Sequence, residues 1–499
     1  MLRIESASLP PRLPKTDALA SFLWEGGTVL PDDHLSLEPS QKKVLEKWIR
    51  QEAFQGREGE QIILYPSPVR CVPKWVITGL GPRKKLTLEV LRRNAGRVLK
   101  TCQKKVKNLW ILPPDCPEMQ DVKIGRALAE GLQLASYQYH PYRRLPREEI
   151  PLLNKVILIP GSPGQMKRFR TALAGTQWVT EAVLRVRDWV NRPPSDKRPK
   201  TWMEEAKKLS GSSIRVKIFN PSQIRKLGMN ALLGVARGSS QNPVFIHLIY
   251  RPRYGKPEKK IALVGKGIVF DSGGLSLKGA EHMQDMKMDM AGAAVVMEIF
   301  RVLPRTSCRS EVHGFLPVTY NMPGSDAVKP GDVLKALNGK TIEVLNTDAE
   351  GRLILADALS YACRQKPDQI IDLATLTGAA VVALGSAVTA AMTNHPPLLK
   401  QIFSAAEKTG EKIWELPLVP EYKENIKSAV ADIQNISSVR GEAGAIIGGL
   451  FLQEFVGKTP WVHLDIAGPA WSSKESPYCS KGGTGAMTRT LLEYLCPTV

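Results

Sequence analysis

The chain has 499 residues, of which 43% are hydrophobic and 23% charged, and 69 Lys and Arg face 48 Asp and Glu for a formal charge of +21. That length allows about two to four domains, the composition is globular with material for a large core, and no apolar run is long enough to cross a bilayer. The opening MLRIESASLPPRLPK lacks the apolar centre of a secretory signal, and seven cysteines without a CxxC pair fit free thiols in a reducing, cytoplasmic setting.

From Asp17 to Pro160 strand and helix patterns alternate. Strands are predicted at Ala18–Trp24, Gln61–Tyr65, Trp75–Leu80, Leu109–Leu112 and Lys155–Ile159. Helices are predicted at Gln41–Phe54, Thr87–Val106 (with Thr87 as N-cap) and Met119–Tyr137. The alternation implies a small α/β domain over 1–164, with no motif for chemistry. Basic runs in the first third of the chain, at 81–85, 91–107 and 166–170, read first as solvated helix faces. The sharper reading is a nucleic-acid surface, because a field of this sign attracts polyanions.

The turn-rich PGSPG at 160–164 is followed by a helical pattern from Gln165 to Val190. It reads as a connector over 165–192, stopped by Pro193 and Pro194. Alternation then resumes through 193–499. Strands are predicted at Arg215–Phe219, Phe245–Tyr250, Ile261–Phe270, Glu311–Val318, Thr341–Leu345, Gln369–Leu373 and Trp461–Ile466. Helices are predicted at Glu281–Val302, Leu353–Arg364, Leu398–Lys408, Ala443–Phe455 and Thr484–Leu495. The fold class is α/β: a small N-terminal domain and a larger C-terminal sandwich around a mostly parallel sheet.

Two stretches of the larger region carry chemistry. In NTDAEGR (346–352), Asp348, Glu350 and Arg352 would share one side of an extended segment at a strand-to-helix joint. Ligand sites in open α/β sheets gather at such places. The plain alternative is a polar turn at a helix N-terminus that welcomes acids. The second stretch, VGKGIVFDSGGLSLK (264–278), puts Lys266 and Asp271 in or beside a buried strand, and Asp289 follows in a helical run. A buried, unpaired lysine tends to lose its proton, and a neutral amine can ligate a metal. Lys266, Asp271, Asp289, Asp348 and Glu350 are too many ligands for one tetrahedral ion and suit two divalent ions with bridging carboxylates.

These stretches, with MKMDMAGAA, DWVNRPPS, GMNALLGVARGS, DLATLTGA and HLDIAGPAW, resemble the leucine aminopeptidase (cytosol aminopeptidase) family, peptidase family M17, from about Val186 to the C-terminus. The resemblance implies one ion on Lys266, Asp271, Asp289 and Glu350, and a second on Asp271, Asp348 (side chain and main-chain oxygen) and Glu350. Zn2+ or Mn2+ is implied, with Co2+ or Mg2+ at the looser site. It implies Lys278 as the electrophile facing the oxyanion, and Arg352 as the holder of a bicarbonate general base. It puts the pocket for the substrate's first side chain at Met286, Thr375, Gly378, Ala467 and Ala470, apolar enough for Leu or Met. It further implies peptide substrates and a homohexamer built as a dimer of trimers.

The seven histidines are not needed for this chemistry; His313 and His463 fall in strand patterns and read as satisfied core residues. GKG after a strand is neither phosphate-loop pattern. Ser272 in DSGG lacks the GxSxG elbow. The remaining alternative is a nucleic-acid-binding or structural protein on the same fold, as a second role or in place of catalysis, which rests on the basic charge alone.

Overall fold

The computed structural model describes residues 2–10, 12–27, 38–65, 72–253 and 255–497, so Cys71 lies outside the described residues. The six described cysteines are free, and no helix among the described residues is long and apolar enough to cross a membrane. The chain divides into two compact units, Met1–Glu181 with Lys474–Ser480, and Ala182–Ser473 with Lys481–Val499.

The first unit holds strands β1 (Arg3–Ser6), β2 (Asp17–Leu23), β3 (Gln61–Leu64), β4 (Trp75–Gly79), β5 (Asn108–Ile111) and β6 (Lys155–Leu158). Their order is β1-β6-β5-β2-β4-β3, parallel except for β3 against β4. Helices α1 (Pro39–Gln51), α2 (Leu88–Cys102) and α3 (Asp121–Ala135) cover it. Alternation along β2 sends Ala18, Ala20 and Phe22 to a core with Leu91 of α2 and Leu128 of α3, and sends Leu19 and Leu23 to a core with Leu45 and Ile49 of α1. Thr87 caps α2 as expected, its Oγ1 accepting from Val90 N at 3.2 Å. The strand β1 was not foreseen.

Helix α4 (Pro163–Asn191) runs out of the first unit and into the second at Ala182. In the second unit the strands are β7 (Ile214–Phe219), β8 (Val244–Tyr250), β9 (Lys260–Gly265), β10 (Gly267–Asp271), β11 (Glu311–Asn321), β12 (Asp332–Lys335), β13 (Thr341–Val344), β14 (Gln369–Ala374), β15 (Val388–Thr393), β16 (Lys412–Glu415), β17 (Ile433–Gln434), β18 (Trp461–Asp465), β19 (Trp471–Ser472) and β20 (Gly482–Gly483). The helices are α5 (Pro199–Lys207), α6 (Pro221–Leu227), α7 (Asn230–Ala236), α8 (Ala280–Met283), α9 (Ala291–Val302), α10 (Gly351–Arg364), α11 (Gly378–Leu384), α12 (Pro396–Thr409), α13 (Gly444–Gln453) and α14 (Thr488–Leu495). The main sheet runs β16-β15-β18-β14-β9-β11-β8-β7, with β10 paired to the far half of β11. Its centre is parallel, as the buried, unalternating strands of the sequence imply.

Three expectations change. The strand read as Ile261–Phe270 breaks at Lys266, which leaves the ladder; its N–H goes to Leu373 O and its carbonyl accepts from Ala293 N. The helix read as Glu281–Val302 is α8, a one-turn helix at Met286–Met288, and α9, so Asp289 stands on a connection, not within a helix. The strand at Thr341 belongs to a separate small sheet, β12-β13-β17. Close packing explains the second break. A Cβ on Gly292 would stand 2.2 Å from Leu373 O, so α9 starts where the chain can press against β14.

Candidate metal centre

The chemistry gathers where strands of the main sheet end. Asp271 is the last residue of β10, Lys266 follows β9, Thr375 follows β14 and Asp465 ends β18. The 346–350 segment reaches the same place as a turn rather than as an extended strand, so the alternation that grouped Asp348, Glu350 and Arg352 does not apply. Asp348 and Glu350 meet there, whereas Arg352 lies in the first turn of α10. Glu350 is the N-cap of α10, yet its side chain makes no cap hydrogen bond. It turns to Lys266 instead, with Oε1 2.9 Å from Nζ. The plain reading of an acid that merely serves its helix therefore fails for Glu350.

Lys266 Nζ also lies 2.7 Å from Asp289 Oδ1 and donates to Thr375 O at 2.9 Å. Lys278 Nζ bridges Asp271 Oδ2 at 2.9 Å and Asp348 Oδ1 at 2.5 Å. One oxygen each of Asp271, Asp348 and Glu350 lies within 4.8 Å of the others. All five expected ligands and Lys278 thus form one cluster, buried apart from the partly open Asp348 and Lys278. Gly351 makes room for it, since a Cβ there would stand 2.7 Å from Lys266 Nζ.

Four carboxylates face two ammonium groups, so negative charge is in excess in a low-dielectric place. Burial and then Asp271 raise the pKa of Glu350 and of Asp348. Burial opposes the charge of Lys266, but Asp289, Glu350 and Asp271 outweigh it and raise its pKa. Lys266 is therefore held as an ammonium by its carboxylates, against the expectation that burial would neutralise it. Lys278 follows the same balance, with Asp271 and Asp348 prevailing over burial. The residues fit a divalent cation on the chemistry of the donors. The set is oxygen-rich, and the buried oxygens Asp289 Oδ2 and Glu350 Oε2 accept no hydrogen bond among the described residues.

Arg352 is buried, its Nη1 donating to Asn435 O at 2.8 Å while its guanidinium lies 5.9 Å from the centre of the Phe451 ring. Burial pushes its pKa down to about 10 against the pull of Glu350 and Asp465. Its Nε has no hydrogen-bond partner among the described residues. A buried fork with free donors suits a planar oxyanion.

Of the expected pocket residues, Thr375 joins the cluster directly, its Oγ1 donating to Asp289 Oδ1 at 2.7 Å. Met286 opens the one-turn helix just before Asp289. Gly378 begins α11 and is exposed, with open space where a Cβ would be. Ala467 is half-buried, and Ala470 is buried and fastened by its N–H to Ile466 O. The cavity of about 530 Å3 lined by Phe270, Tyr320 and Gln241, among others, includes none of these residues.

Sequence reasoning passed over the residues that hold the cluster in place. Asn321 Nδ2 donates to Asp271 Oδ1 at 2.7 Å and to Thr347 O at 3.1 Å. Thr347 Oγ1 accepts from Ser276 N and donates to Gly273 O. Asn435 Oδ1 accepts from Leu345 N and Asn346 N. Asp465 Oδ1 accepts from Leu376 N and Ala467 N, and Oδ2 from Thr377 Oγ1, which ties the loops after β14 and β18 together. Only Asp465 left a signal, as a carboxylate inside the apolar run WVHLDI. His313 is satisfied as expected, lying between His247 and Glu311; His463 is satisfied on one side only, its Nδ1 2.6 Å from Asp372 while its buried Nε2 has no hydrogen-bond partner among the described residues.

Comparison with known proteins gives one answer. Residues 185–492 match the catalytic domain of the cytosol aminopeptidase family, and residues 22–146 match its N-terminal domain. A probable cytosol aminopeptidase of Aquifex aeolicus is 41% identical, covering 96% of this chain and 95% of its own. Another from Thermosynechococcus vestitus is also 41% identical, covering 96% of each. Among solved structures, a mutant of tomato leucine aminopeptidase superposes with a TM-score of 0.87 at 32% identity, covering all of this chain and 97% of that one. The bottromycin maturation enzyme BotP in complex with Mn superposes with a TM-score of 0.84 at 33% identity, covering 96% of this chain and 99% of that one.

Proposed function

The chain belongs to the cytosol aminopeptidase family, and from that premise we propose that this aminopeptidase is metal-dependent and prefers leucine and other apolar residues at the N-terminus of its peptides. The observation that carries the reading is the cluster of four carboxylates and two lysines at the strand ends, with carboxylate oxygens left free to ligate. Lys266, as the neutral amine left once an ion displaces its proton, would with Asp271, Asp289 and Glu350 hold one divalent ion, and Asp271, Asp348 (with its main-chain oxygen) and Glu350 the other. Zn2+ or Mn2+ suits these donors, and Co2+ or Mg2+ the exchangeable position. When bound, such ions supply Lewis-acid activation of a water and of the scissile carbonyl.

The remaining steps fall to side chains of the chain itself. Lys278, partly open and directed at Asp271 and Asp348, places an ammonium where negative charge grows on the carbonyl oxygen. Arg352, whose buried Nε has no hydrogen-bond partner among the described residues, would hold a bicarbonate, a group that would supply general-base chemistry there. Thr375 keeps Asp289 turned toward Lys266. Met286, Gly378, Ala467 and Ala470 receive the substrate's first side chain. We place the enzyme in the cytoplasm and, by resemblance, in a homohexamer. A nucleic-acid role has only the charge of +21 behind it, and steep loss of DNA affinity with salt would be its mark.

The test is hydrolysis of leucine p-nitroanilide by chelator-treated protein before and after Mn2+ or Zn2+, beside Asp348→Ala and Lys278→Ala. Restored activity that is lost in Asp348→Ala and much reduced in Lys278→Ala is the expected result. Absence of turnover in every remetallated sample, across several aminoacyl substrates, would refute the metal-dependent reading.

A further inference from the structure

The proposed chemistry leaves one buried lysine without a task. Lys197 is fully buried, between the one-turn helix Pro194–Asp196 and α5. Its Nζ donates to the carbonyls of Trp189 at 2.9 Å, Val190 at 3.1 Å and Lys287 at 2.6 Å, and touches Met290 Sδ at 3.4 Å. Burial, and then Lys287 and Arg192, push its pKa down. Against that, three carbonyls match the three donors of an ammonium. Two of them end α4, where the helix dipole favours a cation. A methionine or leucine of similar volume would fill the space, but it would not gather three carbonyls.

The third carbonyl gives the arrangement its direction. It belongs to the one-turn helix Met286–Met288, which carries Met286 and leads into Asp289. A second lysine runs the opposite way: Lys287 Nζ donates to Asn191 O at 3.3 Å, also at the end of α4, and lies 5.3 Å from the centre of the Trp471 ring. The turn is thus fastened to the last turn of α4 by one lysine from each side.

We propose that Lys197 is a positioning residue, which pins the turn Met286–Met288 to the end of α4 and so fixes where Met286 and Asp289 stand. The inference rests on the roles given above to those two residues. It predicts a loss of discrimination and of metal affinity, not only of stability.

The experiment compares wild type, Lys197→Met and Lys287→Met in the full chain. The readouts are kcat and KM for leucine and alanine p-nitroanilides, direct calorimetric titration with Mn2+, and Tm. In Lys197→Met the leucine-to-alanine ratio of kcat/KM falls about tenfold, chiefly through KM for leucine, and the Kd for Mn2+ rises about tenfold, the scale typical of residues behind a metal shell. Lys287→Met keeps its carbonyl and shifts both in the same sense by less. A folded Lys197→Met with lower Tm but unchanged ratio and Mn2+ affinity would assign Lys197 to packing alone and overturn the proposal. Should Lys197→Met not fold, Lys197→Gln, which keeps donors but cannot reach all three carbonyls, decides on the same terms. A wild type that binds Mn2+ without cleaving any substrate counts against the aminopeptidase reading, while the Mn2+ titrations still judge Lys197.

Discussion

Asn321→Ala removes a side chain that touches no substrate in the proposed chemistry, yet it should cripple the site. Asn321 is buried at the end of β11, and its amide spans Asp271 Oδ1 at 2.7 Å and Thr347 O at 3.1 Å. Asp271 Oδ1 also accepts from Gly273 N at 2.9 Å. These bonds fix the carboxylate plane and leave Oδ2 toward the cluster. A hydrogen bond to a charged group contributes about 1.5–3 kcal/mol and a neutral one about 0.5–1.5 kcal/mol. Truncation therefore removes about 2–4 kcal/mol of local order, divided between stability and the aim of Asp271. We expect kcat/KM for leucine p-nitroanilide to fall about 10- to 100-fold with Mn2+ present, and the Mn2+ titration midpoint to move to higher concentration. Asn321→Asp should be worse than alanine, because it sets a like charge beside Asp271. If Asn321→Ala keeps activity and Mn2+ midpoint within about twofold of wild type, on the same scale, then Asn321 does not orient Asp271 and the reasoning fails.

Thr375→Val keeps the shape and loses the 2.7 Å donor to Asp289 Oδ1, so about a tenfold loss of kcat/KM is expected; Thr375→Ser should restore most of it, and equal loss in both variants would point to packing. Arg352→Lys replaces a buried fork by a point charge and should abolish any stimulation of kcat by bicarbonate, a response that persisting stimulation in the variant would contradict. His247 is stacked on Phe315 and faces His313 Nδ1 at 2.9 Å, and burial, then His313, lowers its pKa to about 3. A base whose folded pKa is depressed gives stability that is whole above its unfolded value, near 6.5, and is lost as pH falls from there toward 3. His247→Leu should thus flatten the decline of Tm between pH 6.5 and 4, and an unchanged slope would put the acid sensitivity elsewhere.

The fold was legible where pattern and burial agree. The core strands β8, β14 and β18 and the helices α10 and α12 appear in the sequence as apolar runs between turn residues, and they lie within a residue or two of where they were expected. The misreadings share a cause. Lys266 breaks its strand, and Asp289 separates the turn at 286–288 from α9, because each backbone is bound by tertiary partners, Leu373 O and Ala293 N at Lys266 and the close approach of Gly292 to β14 near Asp289. Local periodicity carries no trace of such bonds. Asp271 was visible as a carboxylate closing the apolar run GIVF, and Asp289, Asp348 and Glu350 through the motifs MKMDMAGAA and NTDAEGR. Asn321, Thr347 and Asn435 were not, since neutral polar residues at strand ends and turns are common and nothing in their spacing marks them.

That difference in visibility follows from how the cluster is built. Its acids stand where regular structure stops: Asp271 at the end of β10, Asp289 before α9, Asp348 in a turn and Glu350 at the start of α10. At such points backbone groups are unpaired by ladder or helix, and amides and hydroxyls take them up. Asn435 binds Leu345 N and Asn346 N, Thr347 binds Ser276 N and Gly273 O, and Asp465 binds Leu376 N and Ala467 N. Of the three holders nearest the acids, Asn321, Thr347 and Asn435, none carries a charge. Had arginines held the turns instead, their charge would cancel that of the carboxylates and weaken the attraction for a cation. Holding the acids with neutral donors leaves the excess negative charge intact, with only Lys266 and Lys278 among it. A buried surplus of that sign is unstable in a core and is suited to a site that binds divalent cations.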